Sequence, residues 1–359
     1  MGIQGLWPLL KDHTKAKHIR EYAGKCVAVD TYVWLHKAAF GCCVELATRK
    51  DNQLWLRYCF DYIELLLRAG VSVYLVFDGG PLPAKKNEEL ERRKKRDQAR
   101  EEGLGLLRAG QTANARAKLS RAVDISPLMA ARLIKACKDR YPDVRCLVAP
   151  YEADAQLAYL CRAGIVDAVI TEDSDAVPYG CGDIITKLDK TGHCQCVSLA
   201  EVYSAPSSVD FRNFSPDMMV LMCVAAGCDY LTSLPGIGVK KSYKYISRHR
   251  TMHRLLRALR FEGVIPLSEL YRYELDFYKA VLTFRHQTVY DPVQRRLRHL
   301  SDLPVASGVF GSTDGIDIYK LFLGAGGADA LLFLGPMLTA SLACDIAEGI
   351  RDPETMEPF

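Results

Sequence analysis

The sequence predicts an α/β fold in which helices flank a central, mainly parallel and twisted sheet. Four apolar runs of the kind that fill buried strands each end in acidic residues: "KCVAVD", "VSVYLVFDGG", "VRCLVAPYEAD" and "AVITEDSD". Between them stand segments with helical spacing of apolar residues that close with glycine, such as "LRYCFDYIELLLRAG" and "EADAQLAYLCRAG". This alternation of strands and helices is typical of parallel β-α-β sheets. With 359 residues, 49% of them hydrophobic, the chain suits one large α/β domain or two ordinary ones.

The composition excludes several classes of protein. No apolar run approaches the ~18 residues of a membrane span, and the first residues lack the pattern of a secretory signal. We therefore expect an intracellular protein with no membrane partner. The 13 cysteines are an odd number scattered through apolar segments, which indicates buried thiols in a reducing compartment. "GHCQC" has no second ligand pair at zinc-finger spacing, so we expect no zinc there.

The positive charge is concentrated in one segment. The chain carries a formal charge of +4, and the stretch "KKNEELERRKKRDQAR" alone, from Lys85 to Arg100, holds eight bases and four acids. By itself, such a run is typical of a solvated helix with i,i+4 ion pairs, or of a nuclear localisation signal at "RRKKR".

The acids at the strand ends carry the functional prediction. Ligands of parallel sheets bind beyond the carboxyl ends of the strands, where these acids fall. One acid there is usually a helix N-cap, but four such strand ends indicate a shared site. Glu172, Asp173 and Asp175 have no basic neighbour in the sequence, so we expect a cation to meet them.

Spacing indicates how these acids converge. Asp173 and Asp175 stand two apart on a segment predicted to be extended, so their side chains should point to the same side. Glu152 and Asp154 would diverge on a regular helix and can converge only where a helix is starting, as Pro150 allows.

A seventh acid completes the set. Asp229 follows an apolar helix and precedes a glycine-rich turn in "MCVAAGCDYLTSLPGIG". Seven clustered carboxylates without a cation would raise one another's pKa values. Oxygen ligands without histidine or thiolate favour Mg²⁺ or Mn²⁺, and two such ions ~4 Å apart suit in-line attack on a phosphodiester. The predicted metal ligands are Asp30, Asp78, Glu152, Asp154, Asp173, Asp175 and Asp229.

Several motifs together resemble a known superfamily. "MGIQGLWPLL", "VAVDTYVWLHKAAF", "VFDGGPLPAKK", "LVAPYEADAQLAYL", "VITEDSD" and "GCDYLTSLPGIGVKK" resemble, in this order, signatures of the flap endonuclease, or XPG-type, superfamily of structure-specific 5′ nucleases. Within it the chain is most similar to the exonuclease 1 branch, over residues 1–352. The resemblance implies a PIN-like 5′ nuclease fold in a single catalytic domain. Its parts would be nuclease regions at 1–100 and 140–230, a helical arch at 84–125, a helix-two-turn-helix at 229–250, C-terminal helices at 265–352 and a tail at 353–359.

The same resemblance implies roles for individual residues. The seven acids would hold two Mg²⁺ ions, which Mn²⁺ can replace, and Lys85, Arg92, Tyr32 and His36 would act in catalysis. Lys85, Arg92 and Arg96 fall near one line of an ideal helix, although Glu88 and Glu89 interrupt the neighbouring faces. Tyr32 and His36 would meet the nucleotide beside the cut. The implied DNA contacts are Gly2, Tyr32, His36, Lys85, Arg92, Arg93, Arg96, Gly236, Gly238, Lys240 and Lys241.

The glycine-rich turn has a second implied role. Backbone N–H groups at a helix start, followed by Lys240 and Lys241, can grip phosphate without reading bases. Carbonyl groups near Ser233 and Ile237 would hold K⁺ or Na⁺. Gly2 and Gly5 match a small N-terminus that lies close to the substrate.

These observations predict a nuclear, monomeric, two-metal DNA nuclease. It would hydrolyse double-stranded DNA 5′ to 3′ from ends, gaps and nicks, and cut 5′ flaps, in mismatch repair, end resection and recombination. Mismatch-repair proteins and the sliding clamp would bind through a C-terminal region beyond Phe359. The alternatives are a flap endonuclease acting mainly on replication intermediates, a metal-dependent phosphatase-like α/β hydrolase, and a DNA-end-binding protein without metals.

Overall fold

A seven-stranded sheet forms the centre of the protein. The computed structural model describes residues 2–48, 53–266, 268–303 and 327–359. The strands lie in the order β1-β7-β6-β5-β2-β3-β4. Their bounds are Thr14–His18 (β1), Cys26–Asp30 (β2), Ser72–Phe77 (β3), Arg145–Val148 (β4), Ala168–Ile170 (β5), Asp183–Thr186 (β6) and His193–Ser198 (β7).

The four strands that carry acids are neighbours and run in the same direction. β5 pairs with β2, β2 with β3 and β3 with β4, all in parallel. β6 extends the parallel part, and beyond it β7 runs in the opposite direction and pairs antiparallel with both β6 and β1. The prediction of a mainly parallel sheet is confirmed, and the carboxyl ends of the four strands meet at one edge.

Fifteen α-helices surround the sheet in the described part of the chain. In chain order, α1 to α15 are Leu6–Leu9, Thr31–Gly41, Cys43–Ala47, Leu54–Arg68, Lys86–Arg108, Thr112–Leu119, Pro127–Arg140, Ala153–Arg162, Ala176–Tyr179, Leu199–Ser204, Pro216–Ala226, Val239–His249, Met252–Phe261, Leu270–His286 and Ala340–Ala347. A separate hairpin pairs Thr288–Asp291 (β8) with Arg296–His299 (β9).

Both faces of the sheet are covered, as expected of a parallel sheet. Ala28 and Val76 point into a core shared with α8, α11 and α14. Val27 and Val29 point into a second core shared with α2, α4 and α7. Helix α11 is buried along nearly its whole length, which explains why its sequence is apolar throughout. No helix of the described residues is long and apolar enough to cross a membrane.

The basic run forms a helical hairpin with little core of its own. Helix α5 is 23 residues long, and its one buried residue is Gly103. A Cβ at Gly103 would lie 2.7 Å from Leu119 Cγ and Cδ2, so the missing side chain lets α6 pack closely against α5. The segment is helical, as the resemblance implies for an arch.

The last residues are packed against the core. Arg351 and Pro358 form a β-bridge, and Arg351 Nη1 donates to the carbonyl of Met356. A Cβ at Gly80 would lie 2.6 Å from the carbonyl oxygen of Pro353, so the chain passes directly over the turn that follows β3. Residues 353–359 are therefore folded onto the nuclease region. Part of the predicted C-terminal helical region, 304–326, lies outside the described residues.

Candidate active site

The predicted metal ligands lie at the carboxyl edge of the parallel strands. Asp30 is the last residue of β2, Asp78 follows β3, and Glu152 follows β4. Asp78 Oδ1 accepts the backbone N–H of Ala153 at 2.7 Å, which joins the end of β3 to the start of α8. Asp30 is 7% exposed and is thus enclosed by the fold.

Glu152 and Asp154 stand where a helix starts, as predicted. Glu152 is the N-cap of α8, with extended backbone (φ −80°, ψ 139°), and Asp154 stands in the first turn. The change from extended to helical backbone between them removes the divergence that a continuous helix would impose.

The predicted extended geometry at Asp173 and Asp175 is wrong. Asp175 has helical backbone (φ −66°, ψ −19°), and its N–H donates to Asp173 Oδ1 at 3.0 Å. Short acidic side chains favour such turns because they can bond to the backbone two residues on. The carboxylates still converge, since a Cβ at Gly2 would lie 2.2 Å from Asp173 Oδ1 and 2.3 Å from Asp175 Oδ1.

Glu172 is not an unpaired acid. Its Oε1 accepts Lys37 Nζ at 2.8 Å and the Lys187 N–H at 3.1 Å. The expectation of three acids without a basic partner is therefore wrong for Glu172. Lys37 is 135 residues away in sequence, so the fold alone brings the pair together.

The remaining acids influence one another strongly. Burial, together with the charge of Asp78, raises the pKa of Asp30 to about 7, and burial raises the pKa of Asp78 to about 6. The pKa values of Asp154 and Asp175 are raised by burial and then by the charge of Asp173. Because these effects require proximity, they place the carboxylates of the different strands in one electrostatic cluster.

Two arch residues insert their charges into this cluster. Lys85 Nζ lies 2.6 Å from Glu152 Oε1 and 2.8 Å from Asp229 Oδ2. The Arg92 guanidinium donates to both oxygens of Asp229 at 2.9 Å. Burial alone would raise the pKa of Asp229, but Lys85 and Arg92 hold it below its usual value. The two arch cations thus reach the metal-ligand candidates directly.

The carboxylate oxygens of the predicted ligands suit hard divalent cations, although they are not arranged around a single ion position. Among the residues that the structure describes, no three His, Cys, Asp or Glu side chains are arranged to hold an ion as they stand. Lys85 and Arg92 form ion pairs with Glu152 and Asp229, and these pairs hold the two carboxylates away from a shared ion position. Asp154 Oδ1 and Asp175 Oδ1 are nevertheless buried without a hydrogen-bond partner in the described part of the chain. A buried, ionised carboxylate oxygen without a hydrogen-bond donor is stabilised by a cation, and oxygen ligands suit Mg²⁺.

Four further residues that the resemblance assigns to DNA lie on α2 and α5. Tyr32 and His36 lie half-buried on α2, and burial lowers the pKa of His36, which favours a neutral ring at pH 7. Arg96 Nε lies 3.5 Å from Asp124 Oδ1, and Arg93 is exposed on α5.

The glycine-rich turn leads directly into α12. Gly236 has φ +75°, a conformation that favours glycine, and Gly238 is the N-cap of α12. Lys240 and Lys241 are exposed on the first turn of α12, whereas Ile237 is buried. Ser233 packs against Gly227, where a Cβ would lie 2.9 Å from Ser233 Cβ. Gly5 allows close approach of α1 to α12, because its Cβ would lie 3.2 Å from Val239 Cγ1.

One pair of tyrosines at the site was not predicted. The hydroxyl of Tyr230 donates to Glu152 Oε2, and the hydroxyl of Tyr179 lies 2.6 Å from that of Tyr230. Tyr230 directly follows Asp229, but nothing in the spacing distinguishes it from the other tyrosines of the chain.

Comparison with known proteins relates this site to nucleases. The XPG N-terminal domain matches residues 1–99, and the XPG I-region matches residues 143–229. Exonuclease 1 of Arabidopsis thaliana is 40% identical, over 100% of this chain and 45% of its own length. Exodeoxyribonuclease 1 of Schizosaccharomyces pombe is 37% identical, over 100% of this chain and 58% of its own. DNA damage-inducible protein DIN7 of Saccharomyces cerevisiae is 32% identical, over 85% and 70%.

Solved structures resemble this fold. The catalytic core of Rad2 in complex with DNA substrate (complex II) has a TM-score of 0.54 and 20% identity, over 73% of this chain and 74% of that one. Human GEN1 in complex with Holliday junction DNA has a TM-score of 0.51 and 20% identity, over 79% and 66%. At such identity the likeness concerns the fold alone. The chain spans less than two thirds of the length of the exonuclease 1 relatives from Arabidopsis thaliana and Oryza sativa, 45% and 40%.

Proposed function

This chain belongs to the exonuclease 1 family of XPG-domain nucleases, and we therefore propose that it hydrolyses double-stranded DNA 5′ to 3′ and cuts 5′ flaps. One observation carries the proposal. Acidic residues gather at the ends of four adjacent parallel strands, and beside them Lys85 pairs with Glu152 and Arg92 pairs with Asp229. Metal-dependent hydrolysis of a phosphodiester needs both kinds of group, since cations neutralise the charge of the phosphate and carboxylates hold the metal.

We propose that the seven predicted acids hold two Mg²⁺ ions, for which Mn²⁺ can substitute. When bound, the ions supply charge stabilisation and favour attack by water on the phosphorus. The buried oxygens of Asp154 and Asp175 without hydrogen-bond donors in the described part of the chain support this assignment. Lys85 and Arg92 have to exchange their carboxylate partners for the scissile phosphate, so they would bind it while ions occupy the acids.

The remaining assigned residues would position the DNA. The N–H groups at the start of α12, with Lys240 and Lys241, would grip duplex phosphates away from the cut. K⁺ or Na⁺ near Ser233 and Ile237 would bridge the turn to the DNA backbone. Tyr32 and His36 lie on α2, which starts directly after Asp30, and would contact the nucleotide beside the cut. Because Gly2 has no side chain, it would leave the space beside Asp173 and Asp175 open.

The cellular setting is proposed from the relatives. We place the protein in the nucleus, in mismatch repair, end resection and recombination, acting as a monomer on ends, gaps, nicks and flaps. Mismatch-repair proteins and the sliding clamp are the proposed protein partners. A flap endonuclease acting mainly on replication intermediates is the second candidate, since the same site would serve both substrates.

One experiment separates these candidate functions. A recessed duplex with a labelled 5′ phosphate is incubated with Mg²⁺, with Ca²⁺ and with EDTA, beside a matched 5′ flap. An exonuclease releases labelled mononucleotides, a flap endonuclease releases a labelled flap fragment, and a phosphatase releases inorganic phosphate. We expect mononucleotides with Mg²⁺ or Mn²⁺, and binding without turnover in Ca²⁺, which has different geometric preferences. Full activity in EDTA would contradict the two-metal proposal.

A further inference from the structure

A buried chain of hydrogen bonds leads away from Glu152. The two carboxylate oxygens of Glu152 have different partners, since Oε1 binds Lys85 Nζ at 2.6 Å and Oε2 accepts the Tyr230 hydroxyl. The Tyr230 hydroxyl lies 2.6 Å from the Tyr179 hydroxyl, which in turn contacts the side-chain amide of Gln287. The chain therefore runs from a metal-ligand candidate to the residue that follows α14.

Water has little access to this chain. Tyr179 and Gln287 are each 0% exposed. The ring of Phe284 packs edge-on against both tyrosines, with centroid distances of 4.8 Å to Tyr179 and 5.0 Å to Tyr230. The polar atoms of Tyr179 and Gln287 must therefore find their partners within the protein.

The number of protons fixes the direction of the chain. Two hydroxyls supply two protons, but three contacts need one each: Glu152 with Tyr230, Tyr230 with Tyr179, and Tyr179 with Gln287. If Tyr230 donates to Glu152 and Tyr179 donates to the Gln287 carbonyl, the two hydroxyl oxygens face each other without a proton. In that orientation Gln287 Nε2 is also buried without a partner among the described residues. Rotating the amide by half a turn lets its N–H supply the third proton, and the amide oxygen, instead of Nε2, then occupies the position without a partner.

We propose that Gln287, Tyr179 and Tyr230 form a one-way donor chain that holds Glu152 ready to bind metal. The Gln287 amide donates to Tyr179, Tyr179 donates to Tyr230, and Tyr230 donates to Glu152 Oε2. This fixes the rotation of the carboxylate and leaves Oε1, now bound to Lys85, as the oxygen offered to an ion. The inference rests on the proposed metal-dependent function, and the three residues are positioning residues that act through Glu152.

This donor chain connects separate parts of the protein to the site. Tyr230 and Gln287 lie beyond residue 229, where the match to the XPG I-region ends. Groups that orient a metal ligand commonly change metal affinity or activity by about 10 to 100-fold when they are removed. Residues after α14 would thus tune metal binding although they contribute no ligand.

Metal binding without DNA or turnover provides the test. Mn²⁺ is titrated into the wild-type protein and into Tyr230→Phe, Tyr179→Phe and Gln287→Leu, and free Mn²⁺ is measured by electron paramagnetic resonance. Tyr230→Phe should weaken binding by about tenfold or more, and the other two by less, because each hydroxyl still reorients toward a remaining partner. Thermal unfolding of each variant checks folding.

A matched control separates positioning from packing. Tyr273 on α14 is also buried, and its hydroxyl has no partner in the described part of the chain, so Tyr273→Phe should leave Mn²⁺ affinity unchanged. In a Tyr230→Phe background, Tyr179→Phe should have no further effect, because the chain reaches Glu152 only through Tyr230.

The outcomes distinguish the two proposals. Saturable Mn²⁺ binding by the wild type with unchanged affinity in Tyr230→Phe would overturn the donor chain alone. An undiminished effect of Tyr179→Phe in the Tyr230→Phe background would do the same. Absence of saturable Mn²⁺ binding by the wild type would overturn the metal site of the proposed function as well.

Discussion

The acid cluster and the arch meet at the same site but are held in place by different forces. The acids stand at the ends of strands whose neighbours are fully buried, and Asp175 itself is only 4% exposed. The arch helix α5 buries a single glycine in 23 residues. Ion pairs tie this helix to the site: Lys85, the residue before it, pairs with Glu152 and Asp229, and Arg92 pairs with Asp229.

The difference indicates which region can move during a reaction cycle. Displacing an acid would disrupt a close-packed sheet, whereas displacing the arch breaks ion pairs and little apolar contact. In the proposed function, DNA phosphates would replace the carboxylates as partners of Lys85 and Arg92, and divalent ions would replace these cations as partners of the acids. Under that proposal, the free protein holds its cations and anions against each other until both ligands bind.

Removing one acid should have the largest effect. Asp173→Ala should lower the single-turnover cleavage rate to less than about 1% of wild type, because the variant lacks a carboxylate that would bind the catalytic metal. Duplex binding in Ca²⁺ should survive. Glu172→Gln is the matched control, since Glu172 pairs with Lys37 and should leave the rate near wild type. A variant Asp173→Ala that keeps more than a few per cent of the rate would show that this acid is not a ligand.

Removing an arch cation should have the next largest effect. Lys85→Ala or Arg92→Ala should lower the single-turnover rate at saturating DNA by roughly 10², as loss of one preorganised electrostatic donor commonly does. Equilibrium binding to a 5′-recessed duplex in Ca²⁺ should change little. Lys94→Ala serves as control, because Lys94 is exposed and pairs with Glu91 on the same helix. If the variants bound DNA more weakly and kept the saturated rate, the arch would be a docking surface.

Basic residues away from both regions should affect binding alone. Changing Lys240 and Lys241 together to alanine should weaken duplex affinity across sequences and reduce the salt dependence by about 0.9 log unit for each phosphate that is no longer neutralised. The rate at saturation should stay near wild type. Replacing both by arginine should retain the salt slope, and an unchanged slope in the alanine variant would remove these lysines from the interface.

The smallest expected effect is a pH dependence of thermal stability that the buried acids cause. In EDTA, the raised pKa values of Asp30 (about 7) and Asp78 (about 6) mean that the folded state binds protons more tightly than the unfolded state. This stabilisation is fully present below about pH 4 and is lost as pH rises through about 6 to 7. We expect a melting temperature several degrees lower at pH 8 than at pH 5.5, and Mg²⁺ should reverse the loss at pH 8. Asp30→Asn should flatten this dependence, whereas a flat profile in the wild type would contradict the burial of charge.

Local sequence patterns were sufficient to predict the fold class, the parallel arrangement of the acid-bearing strands and the start of a helix between Glu152 and Asp154. The informative patterns were apolar runs that end in acids, helices that close with glycine, and a helix that starts after Pro150. Motif resemblance, rather than spacing, attached Asp229 and the arch to the site. The turn at Asp173 and Asp175 became evident only in the folded chain, because side-chain bonds to the backbone competed successfully with extended structure.

Pairs between distant residues likewise depend on the folded chain as a whole. Glu172 with Lys37, Lys85 with Glu152, and Tyr179 with Gln287 are separated by 135, 67 and 108 residues. Sequence periodicity reports which face of an element is buried, but it carries no information about which polar side chain on another element that face will meet. Packing of the whole chain chooses those partners, since a buried polar group must be satisfied by whichever donor the fold brings within reach.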